Sequence, residues 1–187
     1  MGTKSLAYLY CKLYLRAFRP PRIPRFGKNV MVPSSADNAA AVRVASQWVV
    51  FACGDHLFGL PLDRTREILP PRSITRLPGC GAEVAGLVGI RGRVVTVFDF
   101  GALLGSTASA QREDHRILVV FVNGKRVAVL VDEIIAVLRE SGGVLPLDTD
   151  ALRPYDIERD DVLGVGALGE SPFLALDPDR ILGRLLV

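Results

Sequence analysis

Three cysteines and two histidines are all that 187 residues offer toward metal or disulfide chemistry. Cys11, Cys53 and Cys80 are widely spaced, with no Cys-x-x-Cys pair, so neither a disulfide framework nor a zinc site is expected. Isolated thiols of this kind suit a reducing cytoplasm. Charge is sparse as well: 23% of residues are charged against 49% hydrophobic, which excludes a disordered chain and supplies a sizeable core. Long apolar runs are missing. The most apolar early stretch, SLAYLYCKLYLRAF at 5–18, reads as a basic amphipathic helix, too short to span a bilayer and without the small-residue cleavage site of a secretory signal.

The net charge of +3 conceals an uneven distribution. Residues 1–36 hold seven basic and no acidic residues, which leaves 16 basic and 20 acidic residues for the remainder. A mildly acidic body argues against nucleic acid as a partner. The segment RPPRIPRFGK at 19–28 is expected to be extended, because its prolines break regular pairing. Met31 opens a polar lead, MVPSSADNAAA, of the kind that starts a chain, and the basic arm before it reads either as an artefact of start assignment or as a membrane-surface or partner-binding tail. Residues 1–46 are therefore read as a flexible extension and 47–187 as the globular part.

Eighteen glycines, twelve prolines and many short Val-rich runs predict an all-β design. The central stretch is VAGLVGIRGRVVTVFDFGALLG, Val84 to Gly105, in which apolar runs flank Arg91-Gly92-Arg93 and predict a hairpin with a cation at its reversal. Trp48 to Cys53 and Leu57 to Leu62 predict a hairpin about Gly54-Asp55, and Ile117 to Val122 and Arg126 to Val131 another about Asn123-Gly124, a strong type I′ signal. Val162 to Leu176 supplies a last hairpin about Glu170-Ser171. Between them lie two Asp-led amphipathic stretches, DRTREIL from Asp63 and DEIIAVL from Asp132, and polar loops at 106–115 and 141–159.

The two halves repeat one another. Asp63 to Leu69 matches Asp132 to Leu138 at an offset of 69, while Gly86, Asp99, Leu104 and Gly105 match Gly164, Asp177, Leu182 and Gly183 at an offset of 78. Such self-similarity of a whole β unit predicts two small packed barrels, neither stable alone. The first is placed at about 56–115 and the second at about 116–176, with terminal strands exchanged between them.

No catalytic constellation is present. Asp99 and Asp177 are expected to cap the short helices that follow, and His56 and His115 to be solvated. Gly164-Val-Gly166-Ala-Leu-Gly169 spells G-x-G-x-x-G, but a β run with Pro172 follows where a dinucleotide site needs a helix, so the glycines are read as structural. Neither a catalytic, a cofactor-binding nor a metal site is predicted. Glu67 and Arg91 stand beside apolar elements of the first half, where they read as a solvated ion pair or as part of a binding surface. The second copy carries Gly169 where the first carries Arg91, so the fold does not require the cation, which tilts Arg91 toward a protein contact.

The blocks FACGDHLFGLPLDRTREIL, ITRLPGCGAEVAGLVGIRGRVVTVFDF, VAVLVDEIIAVL and VLGVGALGE…FLALD resemble, in order, the chemotaxis coupling protein family, CheW. The likeness runs from about Gln47 to Leu182. It implies two SH3-like five-stranded β-barrels packed together with short helices, and a non-enzymatic cytoplasmic adapter joining the tips of methyl-accepting chemoreceptors to the histidine kinase CheA at the inner membrane, without cofactor or membrane insertion. A coupling protein of a related array, governing twitching or surface motility, is the alternative. The resemblance implies a receptor-facing set of Arg91, Gly92, Glu67 and Thr65, and a kinase-facing pair, Ile74 and Val94. Thr65 stands where the family usually has Val, Ile90 where it has Leu, and Thr96 where Pro is common; the basic arm has no counterpart.

Overall fold

The structure, a computed structural model, describes residues 47–105, 114–139, 144–146 and 157–186. The basic arm and most of the two polar loops lie outside these residues. Ten strands dominate: β1 (Gln47–Cys53), β2 (His56–Pro61), β3 (Thr65–Leu69), β4 (Val84–Ile90), β5 (Arg93–Asp99), β6 (Arg116–Val122), β7 (Lys125–Val131), β8 (Glu133–Arg139), β9 (Val162–Leu168) and β10 (Ser171–Leu176). One-turn helices α1 (Phe100–Leu103) and α2 (Pro178–Ile181) follow β5 and β10. Asn123 and Gly124 have φ of 47° and 76°, the paired positive values of a type I′ turn, as Asn-Gly predicts.

The strands form two five-stranded sheets, ordered β8-β1-β2-β10-β9 and β3-β6-β7-β5-β4. The sheets do not divide the chain near residue 115. Each takes a two-strand hairpin from one half of the chain and three strands from the other, so β1 and β2 sit with β8 to β10, while β6 and β7 sit with β3 to β5. The exchange is reciprocal to the residue. Val49 pairs with Val137 on β8, and Leu118, 69 positions after Val49, pairs with Ile68 on β3. Val97 pairs in parallel with Ala128, and Ala175, 78 positions after Val97, pairs in parallel with Gly59.

Both Asp-led stretches fold as strands, β3 and β8, and each carries a bulge at the corresponding place, Arg66 and Ile135. The second hairpin of each half is framed alike: Asp99 N–H donates to Glu83 O at 2.8 Å and Asp177 N–H to Asp161 O at 2.8 Å. Gly86 and Gly164, with φ of 141° and 153°, sit where an added Cβ would lie 2.2 Å from Thr75 O and 2.3 Å from Leu145 O. Only glycine lets the backbone pass that close.

Three apolar clusters hold the strands together. One lines the β3–β7 barrel, with Val88, Ile90, Val97, Ile117, Val119 and Leu130. A second lines the other barrel around Trp48, Val50, Leu57, Phe173 and Ala175. The largest lies between the sheets and receives Val49, Phe51, Leu118, Val120, Val127 and Val129. Alternate residues of β1 and β6 thus enter a barrel interior and the shared core, so both faces are buried and the strands read as unbroken apolar runs. Each such side chain contributes about 1.5–3 kcal/mol on leaving water.

Candidate partner-binding site

The β4–β5 hairpin reverses through Arg91 and Gly92, whose φ values are 48° and 75°. A left-handed conformation costs a non-glycine residue about 1–2 kcal/mol. The corresponding turn of β9–β10 places Gly169 there, with φ 61°. Arg91 Nε lies 3.0 Å from Glu67 Oε1 and donates a hydrogen bond to Oε2 at 3.2 Å. The Arg91 side chain is 66% exposed and that of Glu67 22%, so the pair contributes at most about 1 kcal/mol, roughly the backbone strain it accompanies. Glu67 stands on β3 and Arg91 just past β4, the two outer strands of their sheet. The ion pair therefore draws together the two ends of a sheet that curls on itself.

Thr65 does not join this surface. It is 7% exposed and its hydroxyl donates to Pro61 O at 3.2 Å, because on β3 it pairs with Val120 and faces the core between the sheets. Gly92 is exposed beside Arg91, with open space where a Cβ would stand. Val94 is 73% exposed, opposite Gly89, whose missing side chain leaves it uncovered across the strand. Ile74 is half-buried against the barrel interior. Leu77 is the other large apolar side chain exposed among the described residues. Sequence reasoning also passed over Arg66, whose guanidinium lies 5.2 Å from the centre of the Phe121 ring. The signal was available: at the matched position of the second copy stands the apolar Ile135.

The remaining chemistry-bearing residues have structural work. Asp99 accepts from Ala102 N–H at 3.2 Å and Asp177 from Asp179 N–H at 2.9 Å, so both cap their helices. Gly164 to Leu168 lies within β9, and β10 rather than a helix follows Gly169, so the G-x-G-x-x-G text lacks a helix N-terminus to receive a phosphate. A Cβ at Gly166 would meet Phe173 Cζ at 2.2 Å, which explains that glycine by packing. His56 and His115 are half-buried rather than solvated, and burial pushes the His56 imidazole below its ordinary 6.5, with Asp55 opposing. Burial is also the main reason the Glu133 carboxyl is raised. Among the described residues no three His, Cys, Asp or Glu side chains converge as metal ligands, and no helix is long and apolar enough to cross a membrane.

Residues 47–185 match the model of the CheW-like domain. Chemotaxis protein CheW of Rhizobium meliloti is 32% identical over 120 residues, 64% of this chain and 76% of that protein. Protein PilI of Pseudomonas aeruginosa is 28% identical over 133 residues, 70% of this chain and 72% of that protein. The crystal structure of the scaffolding protein TtCheW from Thermoanaerobacter tengcongensis superposes with a TM-score of 0.64 at 20% identity, covering 75% of this chain and 89% of that one, and so shares the fold of two packed SH3-like barrels. With the family model spanning the whole ten-strand body, the chain belongs to the CheW-like family of chemosensory scaffold proteins.

Proposed function

We propose that this scaffold is a cytoplasmic adapter that joins the tips of methyl-accepting chemoreceptors to the histidine kinase CheA in arrays at the inner membrane, with no reaction or cofactor of its own. The carrying observation is the turn: a repeated frame accepts glycine at the reversal, yet one copy holds an exposed, ion-paired arginine in a left-handed conformation. Strain that an ion pair at best offsets, with no net gain in stability over glycine, is a mark of a binding contact. Arg91 meets the receptor, Glu67 sets its orientation, and Gly92 completes the reversal without obstructing the approach. Val94, bare beside Gly89, supplies the main apolar area for the kinase, and Ile74 supports it from the barrel wall. The likeness to PilI supports a second reading, a coupling protein in an array that governs twitching or surface motility.

Pull-down of receptor and kinase with Arg91→Glu tests the assignment. Receptor recovery is expected to vanish while kinase recovery and the melting temperature stay within error of wild type; retained receptor binding rejects it. Flagellar or pilus identity of the co-purifying kinase decides between the two arrays.

A further inference from the structure

The two barrels carry opposite charge at corresponding ends. In the β3–β7 barrel the Arg91-Gly92 and Asn123-Gly124 turns lie at one end, because β5 and β7 run parallel. β3 begins at that end too, with Thr65 opposite Val120. Arg66, Arg93 and Arg126 are exposed there beside Arg91. Phe121 and Arg126 face each other across β6 and β7 and continue, past the last buried layer, the rows that line the barrel with Val119 and Ala128. Arg66 lies over the Phe121 ring at 5.2 Å. Among the described residues, Arg66, Arg93 and Arg126 have no carboxylate partner, and Glu67 is held by Arg91.

At the matched positions of the other barrel, Arg66, Phe121 and Arg126 become Ile135, Ala52 and Leu57. At that barrel's turns Asp55 and Glu170 stand where the first copy has Gly124 and Gly92, whereas one carboxylate is common to both ends: Asp132 accepts from Gly54 N–H and Asp179 from Asn123 N–H, each at 2.8 Å. The frame therefore folds with apolar residues where the first copy places cations. Several guanidiniums close together repel one another until something supplies negative charge. A guanidinium fork matches a carboxylate in two parallel hydrogen bonds, and an Arg already stacked on a ring gives up less freedom on doing so.

We propose that this end of the β3–β7 barrel is a carboxylate-binding surface for the receptor, with Arg66, Arg93 and Arg126 around Phe121 adding acid-specific contacts beside Arg91. The proposal rests on the receptor-facing reading of Arg91. A phosphate polymer is disfavoured by the net acidic charge of residues 37–187, 16 basic against 20 acidic.

Two probes test it on the full chain. With octaglutamate, amide shifts in NMR spectra are expected to cluster at Arg66, Phe121, Arg93 and Arg126, and to disappear in the double variant Arg66→Gln, Arg126→Gln. Shifts that are absent, or spread evenly over the molecule, overturn the surface itself. With the receptor's cytoplasmic tip, the double variant, which keeps Arg91, is expected to bind about tenfold more weakly with a flatter salt dependence. Unchanged receptor affinity alongside octaglutamate binding overturns the receptor as occupant. Wild-type chain that binds octaglutamate but no receptor tip rejects the adapter reading separately. Tighter binding of a duplex oligonucleotide than of octaglutamate, or salt-sensitive self-association removed by the double variant, overturns the proposal in favour of nucleic acid or of a second copy's acidic end.

Discussion

At the tip of β4–β5 the chain reverses through Arg91 and Gly92; 78 residues later, at the tip of β9–β10, it reverses through Gly169 and Glu170. Beneath both tips the same bulged pairing and the same bond from an aspartate N–H recur. What the copies share is what the fold needs: a glycine at the close approach, an aspartate to end the strand and cap the helix. Where they differ, the fold is indifferent, and those positions are free to record what the molecule binds. Their interiors differ too, but in compensation. Phe173 fills one barrel above Gly166 and Gly59, while the matched Val95 of the other sits with Val88 and Ala128. A large residue over two small ones has been exchanged for three of middling size.

That compensation offers the largest test of the comparison. Phe173→Val leaves a void beside Trp48, whose ring centre lies 6.0 Å from that of Phe173, and is expected to cost about 2–3 kcal/mol in chemical denaturation. Gly166→Val alone drives a side chain into the Phe173 ring and is expected to cost at least as much. Combined, the two reproduce the Val95–Val88 pair of the other barrel, and the double variant is expected to recover a substantial part of the loss. Additive losses would show that the two positions do not compensate one another.

The helix caps come next. Asp99→Ala and Asp177→Ala each remove a side-chain acceptor from a short helix and are expected to cost about 1 kcal/mol apiece, with the two losses alike. A much larger loss for one of them would mark a duty beyond the shared frame. Arg91→Gly is smaller still. It relieves left-handed strain of about 1 kcal/mol and forfeits an exposed ion pair of similar worth, so the melting temperature is expected to move by no more than a few degrees while receptor recovery falls. A large drop in stability would return Arg91 to the fold and break the contrast between the two turns.

Much of this was readable from the chain because the deciding forces are local. Asn123-Gly124 specifies its turn by backbone sterics, and the double burial of β1 and β6 shows as unbroken apolar runs. β3 and β8 were readable as amphipathic but not as strands, since the bulges at Arg66 and Ile135 insert one residue and spoil the period of two. The repeat revealed two halves, and terminal strands exchanged between them were expected, yet not that each sheet borrows a whole two-strand hairpin from the other half. That choice depends on the core between the sheets, which is assembled from both halves at once. In the site, Arg91 with Glu67 could be anticipated from the turn, whereas Thr65, two residues from Glu67, belongs to the opposite face because the bulge intervenes. The basic end escaped notice because Arg66, Arg93 and Arg126 come from three strands far apart in sequence.

The smallest effect bears on charge. Glu133 occupies the place that Arg64 holds in the first copy, where Arg64 pairs with Asp179. Burial raises the Glu133 carboxyl above its ordinary 4.5, Arg116 opposes, and Asp114 and Asp132 raise it further. A carboxyl raised in the folded state favours folding below its unfolded value and loses that contribution as pH rises through the folded one. At neutral pH Glu133 is therefore a small net cost, and Glu133→Gln is expected to raise the melting temperature at pH 7 and to lose the advantage near pH 4. His56 titrates with the opposite consequence. Lowered from 6.5 by burial, it leaves stability intact above that pH and withdraws it as the solution is acidified. If Glu133→Gln stabilises equally at both pH values, the gain lies in packing rather than in charge, and the inverted charge of the two barrel ends carries no cost to the fold.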